Sequence, residues 1–252
     1  MNSIRIWTRA CAEDLHELGR KFIRRRVRKL VELIMNDLDM VALLKPSDSS
    51  VAFENEKLRD VPRCKTRDEL YRLALGHVVS DNGLFLEFGV YKGASINRLA
   101  KLRPNVTFYG FDSFVGLPES WTPGAKKGAF SLKGKLPPVR ANVKLIAGFF
   151  EDTLRQFLAA QRLSRISFMH VDSDLYSAAR TILTETAQFM TVGTVIVFDE
   201  LFNYPRWEQE EYKALSEFAA QTGMQFEYIG YIPTGPQVAI KITAAPSNIP
   251  RR

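Results

Sequence analysis

The chain has 252 residues, 46% of them hydrophobic and 25% charged, with a formal net charge of +7. This composition is ordinary for a globular protein, and no run of about 18 apolar residues that would predict a transmembrane helix occurs. The N-terminus lacks the apolar segment and cleavage site of a secretory signal. Because Cys11 and Cys64 form neither a metal-binding spacing nor a disulfide framework, we expect a cytoplasmic protein.

The positive charge is concentrated in residues 20–29, RKFIRRRVRK, which hold seven basic residues and no acid. Apolar residues recur there at helical spacing, so the segment predicts an amphipathic basic helix. Such a helix is suited to a weak contact with an anionic membrane surface or a nucleic acid backbone. The alternative, which we favour, is a solvated helix that packs on the domain or on a second subunit. We therefore expect no nucleic acid partner.

The N-terminal third reads as a helical extension over residues 1–83. Residues 1–45 are helical in pattern, and the Pro/Ser/Asp-rich stretch 46–50 predicts a loop. Residues 66–80 predict another helix, with Thr66 as its N-cap and Glu69 at the capping-box position three residues later.

From residue 84 onward, short apolar runs alternate with amphipathic segments, which indicates βαβ units and a parallel sheet. The last two runs are separated by only a short turn, so they predict an antiparallel hairpin. We expect a doubly wound, Rossmann-like α/β sheet of seven strands over residues 84–243, followed by a loose tail over 244–252. The strand-like runs are 84–89, 107–112, 143–148, 166–172, 194–199, 225–231 and 237–242.

The first strand–helix junction is the candidate ligand-binding turn. It reads LEFGVYKGAS, in which Gly89 and Gly93 permit a tight turn and close approach of a ligand to the backbone. Backbone N–H groups near Ser95 are suited to a carboxylate, and Glu87 or the Gly89 carbonyl to an ammonium group. The zwitterionic end of an amino acid fits this turn better than a pyrophosphate does.

Two further strand ends carry polar groups. Asp112 follows Gly93 by 19 residues and ends the second strand, where a carboxylate can accept both hydroxyls of a ribose. The third strand ends in GFFED, which offers an aromatic face and an acceptor for adenine. Each acid alone is also a common helix N-cap, but three such ends in the right order favour a shared ligand.

These motifs resemble the cofactor half of class I S-adenosylmethionine-dependent methyltransferases, including the catechol-type O-methyltransferases. The wider run FDSFVGLPESW, GFFEDTL, FMHVDSDLY and FDELFNYPRWEQEEYKAL resembles the macrocin/mycinamicin/novobiocin-type sugar O-methyltransferases. The resemblance covers about two-thirds of the chain. It implies a cofactor site for S-adenosylmethionine made by Glu87, Gly89, Tyr91, Gly93, Ser95, Asp112, Ser113, Phe150, Glu151 and Asp172. Within it, Asp112 would hold the ribose, and Phe150 with Glu151 would border the adenine.

The same family suggests a divalent cation. Asp172 ends the fourth strand, and Asp199 with Glu200 ends the fifth, so the three carboxylates are expected to converge at one sheet edge. Oxygen ligands of this kind suit Mg²⁺. The alternative is that Asp199 or Glu200 caps a helix.

The general base is left open by the sequence. His170 lies two residues before Asp172 on the same strand face and is a candidate, although a histidine inside a strand is more often structural. The lysine that follows the metal aspartate in catechol-type enzymes is absent, because Ser173 to Tyr176 occupy that stretch. Asp172 itself, or hydroxide on the metal, remains an alternative.

Two segments are candidates for covering the site. The long connection 113–140 is of the length seen in lids, with Phe114, Trp121 and Phe130 as candidate covers or packing residues. The stretch after the fifth strand offers candidates for the acceptor pocket, although Trp207 equally suits the core. These are Tyr204, Trp207, Glu208 and Glu211.

The sequence therefore predicts a Mg²⁺-assisted O-methyltransferase that acts on a hydroxyl of a sugar-like small molecule and forms a homo-oligomer, such as a dimer. One alternative is a metal-dependent glycosyltransferase that uses Asp172-Ser173-Asp174 to bind a nucleotide sugar. The other is a non-catalytic module that docks on a membrane or nucleic acid through residues 20–29.

Overall fold

The structure, a computed structural model, describes residues 26, 27, 29, 48–121, 124–161, 165–247 and 249. The chain divides into two compact units, Met1–Pro46 and Ser47–Arg252. In the first unit, Arg26, Val27 and Lys29 are helical and exposed. The rest of the expected basic helix lies outside the described residues. Among the residues described, no helix is both long and apolar enough to cross a membrane.

The second unit is built on one mixed sheet of seven strands in the spatial order β3-β2-β1-β4-β5-β7-β6. The first five strands are parallel, while β7 is antiparallel to both β5 and β6. The predicted fold class and terminal hairpin are thus confirmed. The strands are β1 Leu84–Phe88, β2 Phe108–Asp112, β3 Val143–Ala147, β4 Ile166–Val171, β5 Val195–Phe198, β6 Gln225–Tyr231 and β7 Val238–Ala244.

Helices pack on both faces of this sheet. Because the central strands are buried on both sides, they read as continuous apolar runs, and every residue of β1 and β5 is buried. The described helices of the second unit are α1 Asp48–Phe53, a π-helical turn Glu54–Leu58, α2 Arg67–Gly76, α3 Ala94–Leu102, α4 Phe150–Ala160, α5 Tyr176–Thr186 and α6 Glu211–Thr222, with short 3₁₀ turns at Ala187–Phe189 and Trp207–Gln209.

Alternating strand residues separate the core into two layers. In β1, Leu84, Leu86 and Phe88 pack in one cluster with α4, α5 and α6. Phe85 packs in the other cluster with residues of α2 and α3. This two-residue period is the geometry of an extended strand, and it decides which side chains of β1 and β4 face α2.

Helix α2 joins the sheet unit through its N-terminus. Thr66 Oγ1 accepts from Glu69 N at 3.2 Å, and Glu69 Oε2 accepts from Lys65 N at 2.7 Å. The predicted cap is therefore present, with the return bond one residue earlier than in the standard capping box. The helix ends at Gly76 rather than at residue 80. Residues 48–83, assigned to the extension on sequence grounds, lie in the same compact unit as the sheet.

The carboxyl ends of the parallel strands form the edge at which a ligand site is expected. The chain winds outward from β1 toward β3 on one side and from β4 toward β5 on the other. β1 and β4 are neighbours at the point of reversal, where open α/β sheets leave a crevice. At the far end of the unit, Ser247 N donates to Thr222 O at 2.9 Å, which holds the beginning of the expected tail.

Candidate functional site

A cavity of about 530 Å³ lies at the carboxyl ends of the five parallel strands. A volume of this size is typical of sites for small molecules and cofactors. All five strand ends contribute to its wall, together with the β2–β3 loop (residues 113–140) and the first turn of α2. Its lining includes Arg67, Gly89, Tyr91, Asp112, Ser113, Gly116, Leu117, Pro118, Trp121, Phe130, Gly148, Phe149, Phe150, Glu151, Asp172, Ser173, Asp174, Leu175, Ser177, Asp199 and Glu200.

The turn after β1 brings backbone directly to the cavity. Gly89 has φ +88°, and a Cβ at this position would lie 1.8 Å from the Asp172 carbonyl oxygen. Tyr91 has φ 46° and Gly93, the N-cap of α3, has φ 78°. Only glycine fits position 89, since any side chain would collide with β4. The glycine therefore lets the turn pass close to the acidic end of β4.

Asp112 fixes this turn from the end of β2. Its Oδ2 accepts from Val90 N at 2.9 Å and from Tyr91 N at 2.7 Å, while its Oδ1 accepts from Phe114 N at 2.7 Å. Asp112 and its neighbour Ser113 line the cavity, as the sequence predicted for the ribose site. A carboxylate offers about four acceptor positions, so three backbone bonds leave limited capacity for a further partner.

Glu87, Gly93 and Ser95 are not among the cavity-lining residues, although the sequence placed them in the cofactor site. Glu87 is fully buried, and its Oε1 accepts from Ser95 Oγ at 2.7 Å. Glu87 stands beside His170 in the β1–β4 register, on the face that packs against α2 and α3. Glu87 and Ser95 therefore support the turn on the side away from the cavity, whereas Gly89 and Tyr91 line the cavity.

His170 is also fully buried, which does not support its candidate role as the general base. Its Nδ1 lies 3.5 Å from Glu87 Oε2, and its Nε2 lies 3.2 Å from Tyr71 Oη and 3.7 Å from Asp199 Oδ1. Burial lowers the pKa of His170, but bonds and charges of Asp199 and Glu87 outweigh it and raise the pKa to about 10. The imidazole is thus enclosed by Glu87, Tyr71 and Asp199 and is not among the residues that line the cavity.

The structure brings three carboxylates close enough to share a cation. One oxygen from each of Asp172, Asp174 and Glu200 lies within 4.8 Å of the other two. Asp174 has φ 62°, a left-handed conformation that aspartate tolerates better than most residues, and it is buried. The sequence predicted Asp172, Asp199 and Glu200, so Asp174 takes part where Asp199 was expected.

Asp199 is turned toward other partners. Its Oδ2 accepts from Arg67 Nη2 at 2.6 Å and from Gln237 Nε2 at 3.3 Å. Burial raises the pKa of Asp199, but His170 and Arg67 outweigh burial, and the net result is a lowered pKa. A carboxylate engaged by two cationic groups is less available to a metal than its unpaired neighbours.

The remaining carboxylates have less compensation, and His170 lowers the pKa of Asp172 only in part. Burial and the charge of Asp199 raise the pKa of Asp172 well above its ordinary value. Burial and the charges of Asp172 and Asp199 do the same to the pKa of Glu200, and the pKa of Asp174 rises to about 7. Glu200 Oε2 has no hydrogen-bond partner among the described residues. Like charges held this close require a proton or a cation between them.

The third strand and the β2–β3 loop supply the aromatic part of the wall. Phe150 packs edge-on against Phe88, with ring centroids 5.7 Å apart, and lines the cavity next to Glu151. Trp121 contacts Tyr204 at 6.0 Å, and Phe130 contacts Tyr91 at 5.6 Å, both edge-on. Phe114, in contrast, is fully buried in the core. The loop thus covers one side of the cavity with two of its three candidate aromatics.

Comparison with protein families assigns residues 86–201 to a family described as a methyltransferase domain. Residues 86–201 are therefore similar to a methyltransferase domain. This finding favours the methyltransferase interpretation over the glycosyltransferase one, because residues 172–174 fall within the matched region. A comparison with curated protein sequences found no match.

Solved structures of methyltransferases share the fold. The crystal structure of CalS11, a calicheamicin methyltransferase, has a TM-score of 0.57 and 20% identity, and covers 85% of this chain and 90% of that one. An apo structure of CalS11, described as a TDP-rhamnose 3′-O-methyltransferase, scores 0.50 at 21% identity, covering 85% and 92%. The O-methyltransferase NovP scores 0.52 at 21% identity, covering 70% and 79%.

The four residues after β5 that the sequence suggested for the acceptor pocket do not line the cavity. Trp207 is only 2% exposed and packs on Phe53 and Tyr212. Glu211 is fully buried, and its Oε1 accepts from Ser173 N and Ser173 Oγ at 3.0 Å each. Tyr204 and Glu208 are likewise not among the lining residues. The acid that begins α6 therefore anchors the loop between Asp172 and Asp174.

Arg67 is the cavity residue that sequence analysis missed. It lies on α2, outside the matched methyltransferase region, yet it lines the cavity and pairs with Asp199. Its position at the start of a capped helix was the only local signal, because nothing in the sequence relates it to a strand 132 residues away. Among the described lining residues, it is the only lysine or arginine.

Proposed function

We propose that the chain transfers a methyl group from S-adenosylmethionine to a hydroxyl of a sugar or another polyhydroxylated small molecule, with assistance from Mg²⁺. The observation that carries this proposal is the shared cavity. Its wall combines a glycine turn, the Asp112 and Phe150 strand ends and a cluster of three carboxylates. Cofactor groups and an acceptor hydroxyl can thus meet within one enclosed space.

The cofactor groups are assigned to the strand ends in chain order. The methionine portion lies against Gly89 and Tyr91, the ribose beside Asp112 and Ser113, and the adenine between Phe150 and Glu151. All of these residues line the cavity. Glu87, Gly93 and Ser95 take part through the shape of the turn, since Glu87 and Ser95 bond to each other behind it.

The bound cofactor supplies an electrophilic methyl group on sulfur, so the protein mainly aligns and encloses the reactants. Trp121 and Phe130 exclude water from the side of the β2–β3 loop. Asp172 lies where the turn after β1 meets the end of β4, because Gly89 packs on its carbonyl oxygen. Its carboxylate is therefore the best placed of the candidate bases to receive the acceptor's proton.

The acidic residues fit a hard divalent cation. Asp172, Asp174 and Glu200 offer oxygen ligands within 4.8 Å of one another, and burial together with the charges of neighbouring carboxylates raises their pKa values. A bound Mg²⁺ would supply Lewis-acid chemistry, lowering the pKa of an acceptor hydroxyl held against it. We assign the metal to these three residues and treat Asp199 as the partner of Arg67.

The acceptor class follows from the sequence resemblance and agrees with the structural neighbours. CalS11 is described as a TDP-rhamnose 3′-O-methyltransferase, and its structure covers 85% of this chain. A sugar presents adjacent hydroxyls, which is the pattern that a cation held by carboxylates can bind through two oxygens. A homodimer, a cytoplasmic location and a weak membrane contact through residues 20–29 accompany this proposal as expectations.

The proposal is tested by calorimetry with S-adenosylhomocysteine, the demethylated product. We expect the wild-type protein to bind it and Tyr91→Ala to bind it at least about tenfold more weakly, since that residue lines the methionine end. Tyr109→Ala is the matched control, because Tyr109 packs on Phe157 outside the cavity. No detectable heat with the wild-type protein would overturn the proposal.

The acceptor and metal are tested together by mass spectrometry of methyl transfer to a panel of sugars. We expect transfer with Mg²⁺ and its loss in EDTA. Full activity in EDTA would remove the metal from the proposal while leaving the cofactor assignment intact.

A further inference from the structure

The β2–β3 loop carries an unusual charge pattern next to an acidic cavity. Over residues 113–140 it holds Lys126, Lys127, Lys133, Lys135 and Arg140 against one acid, Glu119, whose Oε1 accepts from Ser177 Oγ at 2.8 Å. The cavity itself is lined by Asp112, Glu151, Asp172, Asp174, Asp199 and Glu200. The site thus has an acidic floor and a basic loop beside it.

Hydrogen bonds place part of this basic loop at the cavity wall. The loop folds back on itself, because Leu117 N donates to Ala129 O and Gly128 N donates to Leu117 O, both at 2.9 Å. Trp121 N donates to Ala125 O at the same distance. Leu117, Trp121 and Phe130 line the cavity, so Lys126 and Lys127 lie on the arm that runs alongside the lining residues.

A second pair of lysines is held on the same loop. Leu132 N and Gly134 N both donate to Phe114 O, at 3.0 and 2.9 Å, and Lys133 between them has φ 56°. Lys135 N donates to Leu132 O at 3.1 Å. The backbone around Lys133 and Lys135 is therefore fixed by a tight turn against Phe114.

A fifth lysine approaches from the turn after β1. Lys92 Nζ lies 5.0 Å from the centre of the Tyr91 ring, and that ring packs on Phe130. We define the basic rim as Lys92, Lys126, Lys127, Lys133 and Lys135; all five are exposed. Among the described residues, no carboxylate forms an ion pair with any of them.

We propose that the basic rim binds a phosphate or diphosphate group of a small soluble acceptor whose hydroxyl enters the cavity. This inference rests on the proposed function and narrows its substrate class to phosphorylated sugars. Lysine is a point-charge binder of phosphate, and several unpaired ammonium groups on one loop attract a dianion without requiring a fixed geometry. The rim lies outside the cavity lining, so a phosphate bound there leaves the cavity to the hydroxyl-bearing part of the acceptor.

The rim is tested first with inorganic pyrophosphate as the probe, by calorimetry on the full chain with EDTA present to prevent binding through a metal. We expect Lys126→Gln/Lys127→Gln to weaken binding at least about tenfold, because each contact with a charged phosphate contributes roughly that factor. Lys101→Gln/Lys144→Gln removes the same charge from exposed positions outside the rim and should change affinity by less than about twofold. Equal losses in both variants, or no binding by the wild type, would contradict the proposal.

The source of the phosphate is tested with matched probes. Glucose 1-phosphate and UDP-glucose are compared with methyl glucoside, each in the presence of S-adenosylhomocysteine. We expect the phosphorylated probes to bind more tightly and to lose that advantage in Lys126→Gln/Lys127→Gln. Binding to phosphatidylglycerol vesicles or to duplex DNA without binding of the soluble phosphates would overturn the proposal in favour of a macromolecular surface.

The test of the basic rim can fail independently of the test of the proposed function. Binding of S-adenosylhomocysteine should be unchanged in Lys126→Gln/Lys127→Gln, because neither side chain lines the cavity. Retained cofactor binding with no phosphate effect would remove only the rim assignment. Loss of cofactor binding by the wild type would remove the methyltransferase assignment, whatever the result with pyrophosphate.

Discussion

The two halves of the cavity are built by different means. On the side of β1 to β3, the shape of the cavity is set by the backbone. The turn at Gly89 and three hydrogen bonds from backbone N–H groups to Asp112 hold it in place. On the side of β4 and β5, the shape is set by a cluster of buried and half-buried carboxylates with raised pKa values. The first half is rigid because the close packing at Gly89 and the hydrogen bonds to Asp112 restrict the backbone to one conformation. The second is held by charge balance and should respond to ions.

The largest effect on stability is expected at Gly89, where neighbouring backbone leaves no room for a side chain. In Gly89→Ala, a methyl group would meet the Asp172 carbonyl at 1.8 Å in a left-handed conformation. We expect a loss of about 3 kcal/mol or more in the free energy of unfolding, from overpacking and backbone strain together. Thermal and urea unfolding would measure it.

The control for this substitution is Gly76→Ala, in helix α2. A Cβ there meets nothing within 4 Å, and the backbone is helical. We expect a gain of up to about 1 kcal/mol from helix propensity. If both variants behaved alike, the turn would not be the rigid half of the site.

The second-largest effect is expected at Glu211, which supports the side of the cavity formed by β4 and β5. Glu211 is buried and accepts two hydrogen bonds from Ser173, and burial raises its pKa to about 8 despite those bonds. Glu211→Ala should cost about 2–3 kcal/mol of stability, because buried donors lose their acceptor and a cavity remains.

The matched variant Glu211→Gln keeps an acceptor oxygen and nearly the same volume. We expect it to recover most of the stability lost in Glu211→Ala, as measured by chemical unfolding. Equal destabilisation by both variants would mean that charge, rather than hydrogen bonding, makes Glu211 important.

The sequence predicted that Gly89, Asp112 and Phe150 lie at one edge of the sheet, and the reason is local. Strand ends, a G-x-x-x-G turn and an acid after the next strand are all visible within about 30 residues of each other. Six of the seven strands fall within the apolar runs that predicted them, and β7 continues two residues past its run; buried strands of a parallel sheet are continuous in sequence. The position of Asp112 at the cavity followed directly from this order.

The side of the cavity formed by β4 and β5 was predicted less accurately, because the positions of its carboxylates depend on residues that are distant in sequence. Asp199 and Asp174 both follow strands, and sequence alone gave Asp199 the metal role. Arg67, from a helix 132 residues earlier, pairs with Asp199, while the left-handed backbone at Asp174 places that residue in the cluster. Strand order cannot reveal such pairings, since they arise from packing between layers.

A pair of substitutions would sharpen this distinction between Asp174 and Asp199. Asp199→Asn should lose about 2 kcal/mol of stability, less than a fully buried pair would, because Arg67 is 47% exposed. Asp174→Asn should stabilise the metal-free protein by relieving repulsion and should weaken Mg²⁺ binding by about tenfold or more.

Calorimetry with Mg²⁺, together with unfolding in EDTA, would check both members of the pair. The opposite pattern, in which Asp199→Asn abolishes Mg²⁺ binding and Asp174→Asn leaves it intact, would restore the ligand set predicted from the sequence.

The smallest effect is expected at the aromatic edge of the rigid half. Phe150 lies edge-on to Phe88 and lines the cavity where adenine is proposed to bind. Phe150→Leu keeps most of the volume, so stability should fall by only about 1 kcal/mol. Affinity for S-adenosylhomocysteine should fall roughly fivefold through loss of the aromatic face. Phe157→Leu provides the comparison, because Phe157 packs on Phe111 away from the cavity and should alter stability without changing affinity. If Phe150→Leu left affinity unchanged, the adenine would have to lie elsewhere, although the backbone turn would still define the methionine end.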